Sequence, residues 1–336
     1  PNTGAVSDPA HVHGGINPVN TSNASNYPRF RQLMVIAYNG ALIPTIIPAG
    51  AIGIFNTSSL PANWTQYSAE DGYFIFANST VNTTGGYNTA LQSTLTSVIG
   101  EANYDIGHLF ASLQNNGNAG CIGCVCVNGQ KGSGWTSAVV PEGEFFDVDY
   151  VAHEMGHQFG ANHTWTFNGN EGSNVQVEPG SGTTIMSYAG ITGATDVAPN
   201  VTPNFHAVSI EQVTDYVKTT NCQTNTPTGN AVPVVSAGAN YTIPKGTAFV
   251  LDGSATDADT PGSALTYSWE QMDENNASTT YPSTTATTGV AFRAYEPTTS
   301  TNRYFPRLET IKTGATSWQW EAVPNVARML NFRLTV

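Results

Sequence analysis

The chain has 336 residues, enough for about two domains of ordinary size and for a large buried core. Charged residues make up only 10% of it, against about 25% in an average soluble protein, which excludes a coiled coil and a charge-rich disordered tail. The net charge of −13 argues against nucleic-acid binding, because phosphate repels an acidic surface.

The first part of the chain predicts an irregular arm followed by strands. Residues 1–28 are rich in Asn, Pro, Gly and Ser, whereas residues 31–38 and 72–78 are apolar runs typical of buried strands. The stretch from 33 to 55 is almost wholly apolar and long enough to span a bilayer, but prolines and glycines interrupt it. We therefore expect strands and turns there and no membrane span.

Apolar residues at helical spacing predict three helices, at residues 88–103, 145–159 and 209–220. The second has an acidic residue, Asp147 or Asp149, near its start and Gly160 directly after its end. The third is expected to begin with a capping box formed by Ser209 and Gln212.

The composition changes after the third helix. Residues 223–231 form a Pro/Thr/Asn-rich linker, and from Val232 apolar and polar residues alternate between Gly, Asp and Pro turns. This pattern predicts a β-sandwich without helices of useful length. Three aspartates in its turns could bind Ca²⁺ through loop carboxylates, although turn aspartates are the commoner explanation: Asp252, Asp257 and Asp259.

The four cysteines are Cys121, Cys124, Cys126 and Cys222. The Thr/Asn/Gly-rich composition is typical of secreted proteins, and an even number of cysteines in an exported chain favours disulfides. We expect Cys126 to pair with Cys222 and Cys121 with Cys124, but the sequence leaves the other pairings open. A metal cluster built from these thiols is the alternative, although it lacks a second C-x-x-C and a nearby His.

The sequence HEMGHQFGANH carries the chemistry of the chain. His153 and His157 are one helical turn apart, so both imidazoles leave the same helix face and can share one metal ion. Glu154 lies beside the first ligand and can take a proton from a metal-bound water. Gly160 ends the helix, and the turn brings His163 back as the third ligand. Three neutral imidazoles leave the fourth position on zinc open, which is typical of a catalytic site.

A methionine in the turn TTIMSYAG follows 23 residues after the third histidine. H-E-x-x-H-x-x-G-x-x-H followed by such a turn resembles the metzincin clan of zinc endopeptidases. Residues 88–336 resemble secreted bacterial reprolysin-like metalloproteases that carry a C-terminal Ig-like module. The resemblance implies that Met186 is an apolar cushion beneath the metal and that Tyr188 supports the metal or the tetrahedral oxyanion. Thr164 stands where reprolysins usually carry an Asp that helps to hold the turn.

The implied fold is an α/β metzincin-like catalytic domain over residues 29–222, followed by an all-β Ig-like sandwich over residues 232–336. The catalytic domain would contain a mixed twisted sheet, an active-site helix and a C-terminal helix. The implied function is a secreted or cell-surface zinc endopeptidase of protein and peptide substrates, with Glu154 as general base. Residues 189–195 would form the wall of the pocket for the residue after the scissile bond.

A structural role is the alternative function. Reprolysins carry a long helix between the first two strands, and the sequence predicts none between Tyr38 and Tyr73. Residues 47–76 instead resemble the collar motif of phage-type fibre tips. The chain would then be an extracellular surface or fibre protein that assembles through a protease-like scaffold. A glycan-binding module is a further alternative, based on the β-sandwich alone.

Overall fold

The computed structural model describes residues 34–38, 52–55, 64–66 and 86–336, with gaps at 113, 169–170, 172, 226, 261 and 275–279. The chain forms two compact units, Pro1–Phe74 and Ile75–Val336, each described here by itself. The predicted arm at 1–28 and the predicted strand at 72–78 lie outside the described residues. Within the part of the chain that is described, no helix is both long and apolar enough to cross a bilayer.

The N-terminal unit contains a three-stranded antiparallel sheet. Its strands are β1 (Met34–Tyr38), β2 (Ile52–Phe55) and β3 (Trp64–Gln66), and β1 lies in the middle. Ala37 pairs with Ile52 on one side and with Thr65 on the other. The strand predicted at 31–38 is thereby confirmed over Met34–Tyr38.

The second unit begins with helix α1 (Tyr87–Thr94), which continues as a π-helical turn (Leu95–Ile99) and a 3₁₀ turn (Glu101–Asn103). The predicted helix at 88–103 is therefore confirmed in extent, although Gly100 interrupts it. Gly100 has a φ of +85°, a left-handed conformation that glycine adopts without steric cost.

A mixed three-stranded sheet supports the active-site region. Strand β4 (His108–Ala111) pairs in parallel with β6 (Gly134–Ser137), and β5 (Asn116–Asn118) pairs with β6 in the antiparallel sense. All residues of β6 are buried, and Trp135 packs edge-on against Tyr87 of α1 with 5.2 Å between ring centroids. This burial fixes the sheet on α1.

The active-site helix is built from three consecutive segments: α2 (Glu144–Phe146), a π-helical segment (Asp147–Ala152) and α3 (His153–Gln158). The helix predicted at 145–159 is confirmed over Glu144–Gln158, and Asp147 and Asp149 lie near its start, in the π-helical segment. The helix packs closely on the sheet. A Cβ on Gly134 of β6 would lie 2.5 Å from the Gln158 side chain, so the absence of a side chain at Gly134 allows this close approach.

Helix α4 (Ala207–Thr219) begins two residues earlier than the sequence predicts. The side chain of His206 caps it, because the ring Nδ1 accepts a hydrogen bond from the backbone N–H of Val208 at 3.2 Å. The predicted capping box is wrong. Ser209 Oγ has no hydrogen-bond partner among the described residues, and Gln212 Oε1 accepts from the N–H of Asn162 instead.

The C-terminal region is rich in β-structure. Its elements, in chain order, are β7 (Val234–Ser236), β8 (Phe249–Asp252), β9 (Ser254–Thr256), β10 (Ser268–Gln271), β11 (Asn302–Phe305), the one-turn helix α5 (Leu308–Lys312), β12 (Ser317–Trp318), β13 (Glu321–Ala322) and β14 (Phe332–Thr335). Antiparallel pairs join β7 to β9, β8 to β11, β10 to β14 and β12 to β13. An aromatic core joins the β8–β11 pair to the β10–β14 pair, and in it Phe249 stacks on Phe305 with 5.0 Å between ring centroids.

Two disulfides cross-link the second unit. The structure joins Cys126 to Cys222, whose Cα atoms are 5.5 Å apart, and Cys121 to Cys124, at 6.0 Å. No cysteine is free, so none is left for a thiol-bound metal. Two structural disulfides are consistent with an oxidising, extracellular environment.

Candidate active site

Helix α3 and the turn after it bring three histidines together. His153 and His157 lie one helical turn apart and are 5% and 6% exposed. Gly160 then adopts a φ of +101°, which turns the chain sharply and returns His163 to the same place. The ligand atoms of the three rings all lie within 4.8 Å of one another, and no other such group occurs among the described residues.

Hydrogen bonds to fixed acceptors set the tautomer of each ring. Nδ1 of His153 lies 2.7 Å from the carbonyl oxygen of Ile185, and Nδ1 of His157 lies 2.7 Å from that of Ala161. A carbonyl can only accept, so each Nδ1 carries the proton and donates it. His163 Nδ1 donates in the same way to the Glu171 carboxylate, 3.0 Å away. All three Nε2 atoms therefore present lone pairs.

This donor set fits a zinc ion. The Nε2 atoms of His157 and His163 are 3.0 Å apart, near the separation of about 3.3 Å that two nitrogens sharing a tetrahedral zinc would have. Two lone pairs at this distance repel each other unless a cation lies between them. The bonds from Nδ1 are also typical of histidines that bind zinc, because they orient the ring and raise its basicity.

The electrostatics of the site keep the rings of His153 and His157 neutral, as metal ligands must be. Burial, followed by the positive charge that His163 would carry, lowers the pKa of His157 to about 4. The pKa of His153 is lowered well below its usual range, by burial first and then by the other two histidines.

Glu154 lies against the edge strand of the sheet and is only 9% exposed. A Cβ on Gly117 of β5 would lie 2.5 Å from its Oε1, so glycine is required there to admit the carboxylate. Burial raises the pKa of Glu154 to about 7, and the backbone N–H of Ala119 opposes this shift. Glu154 lines a cavity of about 130 Å³ beside His153.

Met186 forms the base of the site. It is fully buried in a small apolar cluster, and its carbonyl accepts a hydrogen bond from the N–H of Thr164, next to His163, at 3.1 Å. A Cβ on Gly156 would lie 2.5 Å from Met186 Sδ. The glycine between the two helical histidines therefore lets the methionine pack directly beneath them.

Tyr188 lies beside the triad. Its ring centroid is 4.6 Å from that of His163 and 5.7 Å from that of His153, and the residue lines the same cavity as Glu154. Burial, reinforced by the negative charges of Glu171 and Glu154, raises the pKa of Tyr188 to about 12. The phenol therefore stays protonated at neutral pH and can donate a hydrogen bond.

Glu178 is a part of the site that the sequence did not reveal. It is fully buried, and its Oε2 accepts a hydrogen bond from the hydroxyl of Thr164 at 2.6 Å. Its Oε1 accepts from the N–H of Thr183, at the start of the turn that contains Met186, at 2.9 Å. Glu178 thus connects Thr164, the residue after the third histidine, to the turn that contains Met186.

The other predicted side chains lie elsewhere. Asp257 Oδ1 accepts from the N–H groups of Asp259 and Thr260, and Asp252 Oδ1 accepts from the hydroxyl of Thr301.

The sequence also did not predict the roles of Glu171, Gly117 and Gly156 in the site. A carboxylate eight residues after His163 and glycines at close approaches have no local sequence signature.

A buried His-Glu-x-x-His helix, a third histidine after a glycine turn and a methionine base define a metallopeptidase site. The model of the reprolysin-like metallopeptidase family M12B matches residues 76–217. The chain therefore carries an M12B metallopeptidase domain, and the histidine triad belongs to it. No curated protein and no solved structure gives a significant match.

Proposed function

We propose that the protein is a secreted zinc endopeptidase that cleaves protein and peptide substrates. The observation that carries the proposal is the cavity beside the triad. Glu154, Tyr188 and His153 line it together, with apolar side chains such as Ile191 around them. A peptide side chain can enter this space while the peptide bond lies between the general base and the phenol.

His153, His157 and His163 would hold the zinc ion. When bound, zinc supplies a Lewis acid that lowers the pKa of water and polarises a carbonyl group. Glu154 takes the proton from the attacking water and delivers it to the leaving amine. Tyr188 donates a hydrogen bond to the oxyanion, and the wall that contains Ala189 and Ile191 receives the residue after the scissile bond.

The remaining assignments are extensions of this proposal. The two disulfides support secretion or display at the cell surface. The β-pairs around one aromatic core support an Ig-like module at residues 232–336. Calcium is not part of the proposal, because Asp257 already accepts from the N–H of Asp259 and Asp259 accepts from the N–H of Ala231. No described contact favours the scaffold function over the enzyme.

Glu154→Ala tests the proposed mechanism. Since Glu154 is not a ligand, the variant keeps zinc and the fold, but peptide cleavage falls by about 100- to 10,000-fold. Glu142→Ala is the control, because Glu142 is an exposed glutamate ahead of the same helix. Zinc content and cleavage of a casein-like substrate are measured on the same samples. Wild-type cleavage by Glu154→Ala, or cleavage by wild type that survives chelation, would contradict the mechanism.

A further inference from the structure

The wall of the cavity belongs to a loop, residues 189–197, that we call the pocket loop. Ala189 and Ile191 line the cavity, and the loop closes on itself around Asp196. The Asp196 carboxylate accepts from the N–H groups of Gly190, at 3.0 Å, and of Gly193, at 2.9 Å. The two ends of the loop, Ala189 and Val197, are buried, but Ile191 between them is 60% exposed, so apolar packing does little to fix the middle of the loop. Its position depends on contacts from outside.

Two of these contacts come from the C-terminal region. The hydroxyl of Tyr281 donates to the carbonyl of Ala194 at 3.3 Å, and Nη1 of Arg293 donates to the carbonyl of Val197 at 3.3 Å. Tyr281 is held in place because its ring stacks on buried Trp320, with 5.1 Å between centroids and 24° between planes. Arg293 is fixed by a hydrogen bond from Nε to the carbonyl of Ala294 and by its guanidinium over the Tyr295 ring.

The same region also fixes the segment on which the pocket loop rests. Ser181 holds the loop, because its N–H donates to Thr195 O and its Oγ accepts from Val197 N, both at 2.9 Å. On either side of Ser181, the N–H of Gly180 donates to the carbonyl of Thr280 at 2.9 Å, and the Thr183 hydroxyl donates to that of Ala294 at 3.2 Å. Both the loop and its support are therefore bonded to the C-terminal region.

We propose that Tyr281 and Arg293 are specificity-determining positioning residues of the protease. They hold the pocket loop at a fixed distance from Glu154 and so set the size of side chain accepted after the scissile bond. This inference rests on the proposed function. It makes the C-terminal region part of the substrate-binding site, because a small shift in a substrate-binding wall changes how well a substrate side chain is held.

The test uses zinc-loaded full-length protein and peptides that differ only in Ala, Leu or Phe after the scissile bond. The variants are Tyr281→Phe, which loses only the hydroxyl, Tyr281→Ala and Arg293→Met. We expect the ratio of kcat/KM between the Phe and Ala peptides to change by about 3- to 10-fold, chiefly through KM, as for one lost hydrogen bond. Arg333→Ala is the matched control, because Arg333 pairs with Glu211 of α4 from the same C-terminal region.

Hydrogen exchange of the 189–197 amides gives a readout that does not need activity. Exchange should be faster in Tyr281→Ala and Arg293→Met than in wild type or Arg333→Ala. Unchanged selectivity in Tyr281→Ala and Arg293→Met, with zinc bound, would overturn the proposal. If the wild type cleaves none of the peptides, the proposed function fails separately, and unchanged exchange in the two variants then overturns the positioning role.

Discussion

Hydrogen-bond acceptors around the triad determine which ring nitrogen of each histidine is free to bind a metal ion. The carbonyl groups of Ile185 and Ala161 force the tautomers of His153 and His157, so the metal-binding lone pairs are aligned by the fold itself. Burial shifts the pKa values of these two histidines and of the tyrosine in opposite directions. It lowers the pKa of His153 and of His157, so these two imidazoles stay neutral, and it raises the pKa of Tyr188, so the phenol stays protonated as a donor.

Tyr188→Phe tests the role of that phenol. The ring stays packed beside His163, so zinc should remain bound, but the proposed donor to the oxyanion is lost. We expect the cleavage rate to fall by about 10- to 1,000-fold, as for other lost oxyanion donors. Tyr304→Phe, an exposed tyrosine of the C-terminal region, serves as the control. Full activity of zinc-loaded Tyr188→Phe would remove this residue from the mechanism.

Among the structural elements, the sequence predicts helices and motifs that follow from residue spacing within one segment. It misses strands and side chains whose position depends on a partner elsewhere in the chain. The helices and the triad follow from periodicity within one segment, so residue patterns were sufficient. Strand β5 is Asn116–Asn118, whose residues favour a turn, and it becomes a strand only by pairing with β6. Glu178 was equally invisible, because its partner Thr164 lies 14 residues away in the sequence.

His108 joins three elements at the back of the site. The Gln158 amide of α3 donates from Nε2 to the carbonyl of Gly107, so its Oε1 accepts from His108 Nδ1 at 2.8 Å. His108 Nε2 then accepts from the hydroxyl of Thr136 in β6 at 2.7 Å. Burial lowers the pKa of His108 to about 4, although the bond to Gln158 opposes this shift.

This histidine makes stability depend on pH. In the unfolded chain it binds a proton near pH 6.5, whereas in the folded protein it does so only near pH 4, so stability falls as pH decreases through that window. The loss reaches about 3 kcal/mol. In His108→Gln, urea unfolding between pH 7.5 and pH 4.5 should show a smaller pH slope than in wild type. The zinc ligands titrate in both proteins and cancel in the difference, so equal slopes would refute the assignment.

Within the second unit, hydrogen bonds and apolar contacts join the catalytic region to the C-terminal region. Glu270 of β10 accepts from the N–H of Ala207 at the start of α4, at 2.8 Å, and Met272 packs against the apolar cluster that contains Val208 of the same helix. The sequence predicts two domains joined by a linker. It does not predict either contact, because each joins residues more than sixty positions apart. The C-terminal region therefore helps to hold α4 in place beside the active-site region.

The Cys126–Cys222 disulfide connects the end of α4 to the loop that closes the active-site helix. In that loop, the N–H of Gly123 donates to the carbonyl of His157 at 2.8 Å, and the N–H of Cys124 donates to that of Gln158 at 2.9 Å. The loop thus satisfies the last carbonyl groups of α3, and the disulfide anchors the loop itself.

Removing each disulfide in turn provides the last test. The Cys126–Cys222 bridge spans a sequence separation of 96, so Cys126→Ser/Cys222→Ser should lose about 4 to 5 kcal/mol of unfolding free energy in the loop-entropy model. Cys121→Ser/Cys124→Ser is the matched control, because its separation is only 3 and the same model gives about 2 kcal/mol. Urea unfolding under non-reducing conditions measures both, after mass mapping has verified the pairs in the wild type. Four free thiols in that mapping, or equal destabilisation by the two double variants, would show that the long bridge does not hold α4 to the active-site helix.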